Sequence, residues 1–265
     1  MLIDNFIERR FENDSPLKKG GNKKIRIFDD YVLLAGSFKE DEIKKIILIT
    51  NELKNNGIAI IPTLEYKIVY PPNEIGYVRG YMLQPRAKCT EVYSSDMSEE
   101  EYDKRLRDIA SMDIKKIDKF VSDWLAIERA GLMIDPSKTT NFFYSDEGIS
   151  FIDLNLRKYE IKPLKTYFVY AYGILTDYLR KLDSENMAEY IVQVIKKVAL
   201  CFMQRGMEIK EISDAISSGH FMHNLSKAQF YSIIEFLTKE QKVKEISAEK
   251  APMAPTEQIG NGRSV

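Results

Sequence analysis

The stretch Glu128-Arg-Ala-Gly-Leu-Met-Ile-Asp135-Pro-Ser-Lys138-Thr-Thr-Asn141-Phe-Phe-Tyr-Ser-Asp-Glu-Gly148-Ile-Ser-Phe-Ile-Asp153-Leu-Asn155 decides the fold. Just before it, Ile117, Phe120, Val121, Trp124 and Leu125 recur at helical spacing over 113–130, and Gly131 stops that helix. An apolar triplet then delivers Asp135 to a loop. Asn141–Tyr144 and Ile149–Asp153 read as the arms of a hairpin that turns at Ser145–Gly148. A hairpin brings its two ends together, so Asn141 and Asp153 are expected side by side. Such an Asn and Asp offer hard oxygen ligands, which suit Mg²⁺ carrying a nucleotide's phosphates. Asp135 can stand beside them and accept a proton from an attacking hydroxyl. Phosphoryl transfer needs little beyond that positioning and charge neutralisation. Taken singly, Asp and Asn in loops are turn formers or caps. The signal lies in their order and spacing.

Upstream, residues 1–36 read as β-rich and irregular, with Gly20-Gly21 in a lysine-bearing loop and a hairpin turning at Asp29-Asp30 into Tyr31-Val32-Leu33-Leu34. Ser37 followed by Glu40 has a capping-box pattern. The helix it opens runs to about Asn55, and Gly57 ends it. Strands follow around Tyr66–Val69 and Gly76–Leu83. Residues 90–104 are polar, a linker or a solvated helix start. Downstream, Leu164, Phe168, Ala171, Leu175, Tyr178 and Leu182 mark an amphipathic helix, and two or three more fill 185–239. The tail from about Ala248 carries Pro252, Pro255, Gly260 and Gly262 and reads as disordered.

The quoted segment resembles the catalytic loop and metal-binding motif of the protein-kinase-like superfamily, which includes aminoglycoside phosphotransferases and bacterial effector kinases. Its pattern is His-Arg-Asp-x-x-x-x-Asn followed by Asp-Phe-Gly. The resemblance implies an α+β, two-lobed fold: a β-rich antiparallel N-lobe over 1–85, a helical C-lobe over 86–247 and a tail over 248–265. It implies ATP and Mg²⁺ as cofactors, Asp135 as catalytic base, Lys138 beside the transferring phosphate, and Asn141 and Asp153 as metal ligands. Glu52 lies where the family's ion-pairing glutamate would be. Met82-Leu83-Gln84-Pro85 falls where the hinge grips adenine.

The pattern departs in four places. Asn141 lies six residues after Asp135, one more than in the family, and His-Arg is Met133-Ile134. Asp-Phe-Gly is Asp153-Leu154-Asn155. The strand before the capped helix, Tyr31-Val32-Leu33-Leu34-Ala35-Gly36, has no lysine for the phosphates. Lys24 or Arg26 from the preceding strand could supply that charge, although each also reads as an ordinary surface cation. Gly20-Gly21 does not complete Gly-x-Gly-x-x-Gly. The expected activity is phosphoryl transfer from ATP to a hydroxyl of a protein or small molecule, with an activating protein partner open. The alternative is a pseudokinase-type module that acts by binding a partner.

Composition narrows the classes. The 265 residues are 44% hydrophobic, enough for a real core, and 39 basic against 40 acidic side chains give no pull toward nucleic acid. Cys89 and Cys201 stand alone, without metal or redox spacing. His220 and His223 read as a surface pair rather than a metal site. No signal peptide or membrane span is evident, so a cytoplasmic location is expected, with signal-free secretion open.

Overall fold

A computed structural model describes residues 2–9, 18–20, 23–73, 76–87, 89–94, 96–177, 185–218 and 225–249. The expected tail beyond residue 249, the pair His220 and His223, and Gly21 lie outside the described residues.

The N-terminal part is an antiparallel sheet with a helix on each face. Its elements are α1 (Leu2–Arg9), β1 (Lys18–Gly20), β2 (Lys23–Ile27), β3 (Tyr31–Lys39), α2 (Glu40–Asn55), β4 (Glu65–Tyr70) and β5 (Tyr77–Pro85), with strand order β1-β2-β3-β5-β4. Successive strand residues point to opposite faces, and both faces here carry apolar side chains. Leu34, Phe38, Val78 and Met82 pack under Ile43 of α2. Leu33 and Leu83 pack under Ile3 and Phe6 of α1.

Two expectations are corrected here. The first residues form a helix rather than β-rich irregular chain. Its apolar residues Ile3, Phe6 and Ile7 lie at helical spacing, and Lys67 of β4 pairs with Asp4 on it. The capping box at Ser37 does not form. β3 carries through Ser37, which is paired with Arg79, so α2 begins at Glu40 with Lys39 as an N-cap lacking a side-chain bond. Glu40, Asp41 and Glu42 in the first turn suit the positive end of the helix dipole instead.

Gly80 of β5 sits where β4 bulges between Ile68 and Tyr70. A Cβ there would lie 2.2 Å from the Lys67 carbonyl oxygen. Gly80→Ala should therefore cost about 1–3 kcal/mol, as overpacking does. An unchanged urea midpoint in this variant would show that β4 can give way.

The C-terminal part is mainly helical. Its helices are α3 (Glu99–Ser111), α4 (Ile114–Arg129), α5 (Leu164–Thr176), α6 (Glu185–Met203), α7 (Ile209–Ser218) and α8 (Lys227–Glu249). Its short strands are β6 (Thr90–Glu91), β7 (Leu132–Met133), β8 (Phe142–Ser145), β9 (Gly148–Phe151) and β10 (Asn155–Leu156). The polar run after residue 90 thus begins as a strand beside β8, and Ser98 with Glu101 forms the capping box that opens α3. Phe120 and Trp124 of α4 meet Phe142 and Phe151 of the hairpin, with ring centroids 5.4–6.2 Å apart. Both cysteines are free, and burial pushes the Cys201 thiol up to about 12. Among the described residues, no helix is long and apolar enough to cross a membrane.

The two parts are joined by more than the chain. The loop from α2 to β4 runs beside β9, with Phe151 N–H donating to the Ala59 carbonyl at 2.8 Å and Ile61 N–H to the Phe151 carbonyl at 2.9 Å. Asp123 of α4, almost fully buried, accepts from Ala59 N–H at 2.9 Å and from Lys119 at 2.8 Å.

Candidate functional site

α4 ends at Arg129, and Gly131, with φ of 85°, turns the chain back in a conformation that favours glycine. β7 then pairs with β10, Leu132 opposite Leu156 and Met133 opposite Asn155. That pairing anchors the chain just ahead of Asp135, and buried Ile134 pins it from the core side. The Asp135 carboxylate closes a turn on itself. Its Oδ1 accepts from Ser137 N–H at 3.0 Å and from the Ser137 hydroxyl at 2.6 Å. Lys138 Nζ lies 3.7 Å from Oδ2. Burial pushes the carboxyl up, but the Ser137 bonds and the Lys138 charge outweigh it and hold the group below the ordinary aspartate value. The carboxylate is therefore charged and still partly open to solvent.

Asn141 ends a short 3-10 turn, Thr139–Asn141, and is 4% exposed. Its Nδ2 donates to the Asp135 carbonyl at 3.2 Å, and its own carbonyl accepts from Ile152 N–H at 3.0 Å. The hairpin register sets Phe142 opposite Phe151, so Asn141 and Asp153 emerge at the same end. With Nδ2 committed to the loop, Oδ1 is the Asn141 atom left for a cation. Asp153 holds φ at 57°, a left-handed conformation uncommon outside glycine. Asn155 Nδ2, 3.1 Å from the Asp153 carbonyl, supports that turn. Strained residues of this kind cluster at ligand sites. An amide oxygen and a carboxylate are the donors that a magnesium ion takes from protein, alongside phosphate oxygens and water. Among the described residues, no three His, Cys, Asp or Glu stand together as a metal cluster.

The expected residues of the N-terminal part are placed less favourably. α2 lies against β10, so the α2 face of the sheet is the one that overlooks Asp153. Lys24 and Arg26 pair with Ala35 and Leu33, and cross-strand partners share a face. Both cations therefore belong to the α1 face, with the sheet between them and Asp153. The residues that β3 and β5 turn toward α2 are Val32, Leu34, Phe38, Val78, Met82 and Gln84. Glu52 sits near the end of α2 and is exposed, because the buried residues of that helix are Ile43, Thr50 and Leu53. It does not point at the sheet. Met82 and Leu83 are laddered to β3 on one side and β4 on the other, and Gln84 is buried with its amide 3.2 Å from the Thr63 hydroxyl. Their backbone groups are thus committed to the sheet, and a grip on adenine at Met82–Gln84 does not fit.

Two contributors escaped the sequence reading: Ser137, which fixes the Asp135 carboxylate, and Asn155, which supports Asp153. Asp-Pro-Ser at 135–137 is a turn signature that could have exposed the first.

An antiparallel sheet ordered β1-β2-β3-β5-β4, one helix between β3 and β4, and a helical part holding the Asn141–Asp153 hairpin are now in place. The fold is protein-kinase-like. No protein-family model matches the chain, and no curated protein matches its sequence. Among solved structures, the chain is similar to the kinase PK-1 of Cydia pomonella granulovirus, at 10% identity and TM-score 0.40, covering 83% of this chain and 98% of that one. It is similar to ROP2 from Toxoplasma gondii, described as a virulence factor with a protein-kinase fold and no enzymatic activity, at 10% identity and TM-score 0.38 over 88% and 80%. A choline/ethanolamine kinase family protein from Mesorhizobium loti aligns at 11% identity and TM-score 0.30 over 94% and 99%.

Proposed function

We propose that this chain is an ATP- and Mg²⁺-dependent phosphotransferase that moves the γ-phosphate to a hydroxyl of a small molecule or protein. The observation that carries the reading is the Asp135 carboxylate, held charged by Ser137 and Lys138 on a loop bonded through Asn141 to the start of the metal-binding turn. In this reading Asp135 orients the acceptor hydroxyl and takes its proton, and Lys138 stands beside the moving phosphate. Asn141 Oδ1 and the Asp153 carboxylate would hold Mg²⁺, which when bound neutralises phosphate charge. The short segment between Asp153 and α5 leaves little surface for an extended peptide, which favours a small acceptor or a protein docked elsewhere.

A second reading, a pseudokinase-type binding module, is favoured by one observation: the apolar α2 face, on which neither Lys24 nor Arg26 falls. Under the first reading, the phosphate-binding cation comes from elsewhere in the chain or from an activating protein partner.

Thermal unfolding with ATP, with and without Mg²⁺, separates the two. A ligand at about 100 times its Kd stabilises by about 2.7 kcal/mol, a rise of several degrees for a chain of this size. The phosphotransferase should show that rise with Mg²⁺, and Asp153→Asn should remove its metal-dependent part. A wild-type Tm unmoved by MgATP would leave the binding module standing.

A further inference from the structure

A pocket of about 110 Å³ lies on the α4–α5 side of the loop that carries Asp135. Trp124 and Glu128 of α4, Pro136 next to Asp135, and Arg157, Glu160, Lys162 and Tyr170 beyond β10 are among the residues that line it. The Trp124 and Tyr170 rings are nearly parallel, 6.3 Å apart. Lys162 Nζ donates to the Tyr170 hydroxyl at 2.9 Å and sits 4.9 Å from the ring centre. Glu128 is 7% exposed, and burial pushes its carboxyl above the ordinary value, with the Tyr167 hydroxyl and Arg157 pulling part of the way back. Arg157 Nη1 is buried and has no hydrogen-bond partner among the described residues. A buried guanidinium donor without an acceptor is costly, and an oxygen entering the pocket is the acceptor it lacks.

We infer that this pocket binds a carboxylate on a short carbon arm, with Arg157 and Lys162 as its cationic partners and the Trp124 and Tyr170 rings beside the arm. Arginine and carboxylate match in charge and planar geometry. With Glu128 and Glu160 also in the lining, a doubly charged phosphate meets more repulsion than a singly charged carboxylate, and the aromatic walls suit a carbon arm. The volume is well below the several hundred Å³ of a whole-ligand pocket, so the site takes one end of a larger acceptor. Pro136 and Asp135 are neighbours in the chain, so a hydroxyl acid anchored here would present its hydroxyl near the Asp135 carboxylate. The binding site stands by itself, whereas its role in seating the acceptor rests on the proposed phosphotransfer.

Trp124 is the only tryptophan of the chain, so its fluorescence reports this pocket directly. Butyrate should change the emission saturably, and butyramide, with the same shape and no charge, should not. Arg157→Met should weaken butyrate by about tenfold or more, the scale of a charge-assisted pair. Lys162→Gln, at an exposed side chain, should weaken it less and guards against a folding defect in the first variant. No saturable response, an equal response to butyramide, equal affinity in both variants, or tighter binding of inorganic phosphate would each overturn the assignment. Displacement of butyrate by a terminally blocked glutamate peptide would assign the carboxylate to a protein side chain, and its absence would assign it to a small hydroxy acid. The titration needs no nucleotide, so it can succeed where phosphotransfer fails and fail where phosphotransfer succeeds.

Discussion

Asp135→Asn should lower turnover by about 10²–10⁴-fold, the contribution typical of a positioned general base, while leaving MgATP stabilisation nearly intact. The substitution is close to isosteric. An asparagine Oδ1 still accepts from the Ser137 amide and hydroxyl, which lie 3.0 and 2.6 Å from the native atom. The loop should therefore keep its shape and lose only the charge and proton affinity that act during transfer. An interaction made mainly in the transition state lowers kcat without weakening ground-state binding. ATP hydrolysis and transfer to hydroxy acids, measured beside thermal shifts, check both halves. Unchanged turnover would demote Asp135 to the turn former that its Ser137 bonds alone suggest. A lost thermal shift would mean that its charge serves the nucleotide or the loop rather than the acceptor.

The largest structural effect should come from Phe151→Ala. Phe151 is fully buried, stacked on Phe120 at 5.5 Å and 5°, and edge-on to Phe142 at 5.8 Å. Its backbone N–H and carbonyl both serve the loop from α2. Removing such a ring costs about 3–5 kcal/mol, a fall in Tm on the order of 10 °C for a domain of this size. The hairpin is the frame that sets Asn141 beside Asp153, so metal-dependent ATP stabilisation should fall with it even well below the new Tm. A drop of only a degree or two would show that α4 closes over the gap and that the ring is not what fixes the hairpin.

The hairpin and α4 were legible because their signals are local. Trp124 and Phe120 recur at helical spacing, and Gly148, with φ of 136°, closes a turn that few other residues would. The same holds for Asn141 and Asp153, whose proximity follows from the ends of one hairpin. What the sequence hid depended on register and on packing between distant segments. Whether Lys24 and Arg26 face α2 or α1 turns on a shift of one residue in β2 pairing, which flips every side chain. Glu52 lies in the helix where expected, but its direction depends on how α2 rolls against Leu34 and Met82. α1 has only eight residues, too few for a stable isolated helix. Its existence depends on the apolar face that Leu33 and Leu83 offer from elsewhere in the chain.

The joint between Ala59–Ile61 and Phe151 has a consequence for how the protein is made. The loop leaves the ribosome long before its hydrogen-bonding partner does. About 90 residues separate Ile61 from Phe151, and at roughly 5–20 residues per second their synthesis takes about 5–18 s. Once β4 and β5 have followed, the sheet is complete, but the Ala59 and Ile61 backbone groups still have no β9 to meet. A nascent chain that has emerged only to about residue 90 should therefore expose unpaired backbone at Ala59 and Ile61 that a chaperone can engage, and that exposure should end once the hairpin emerges.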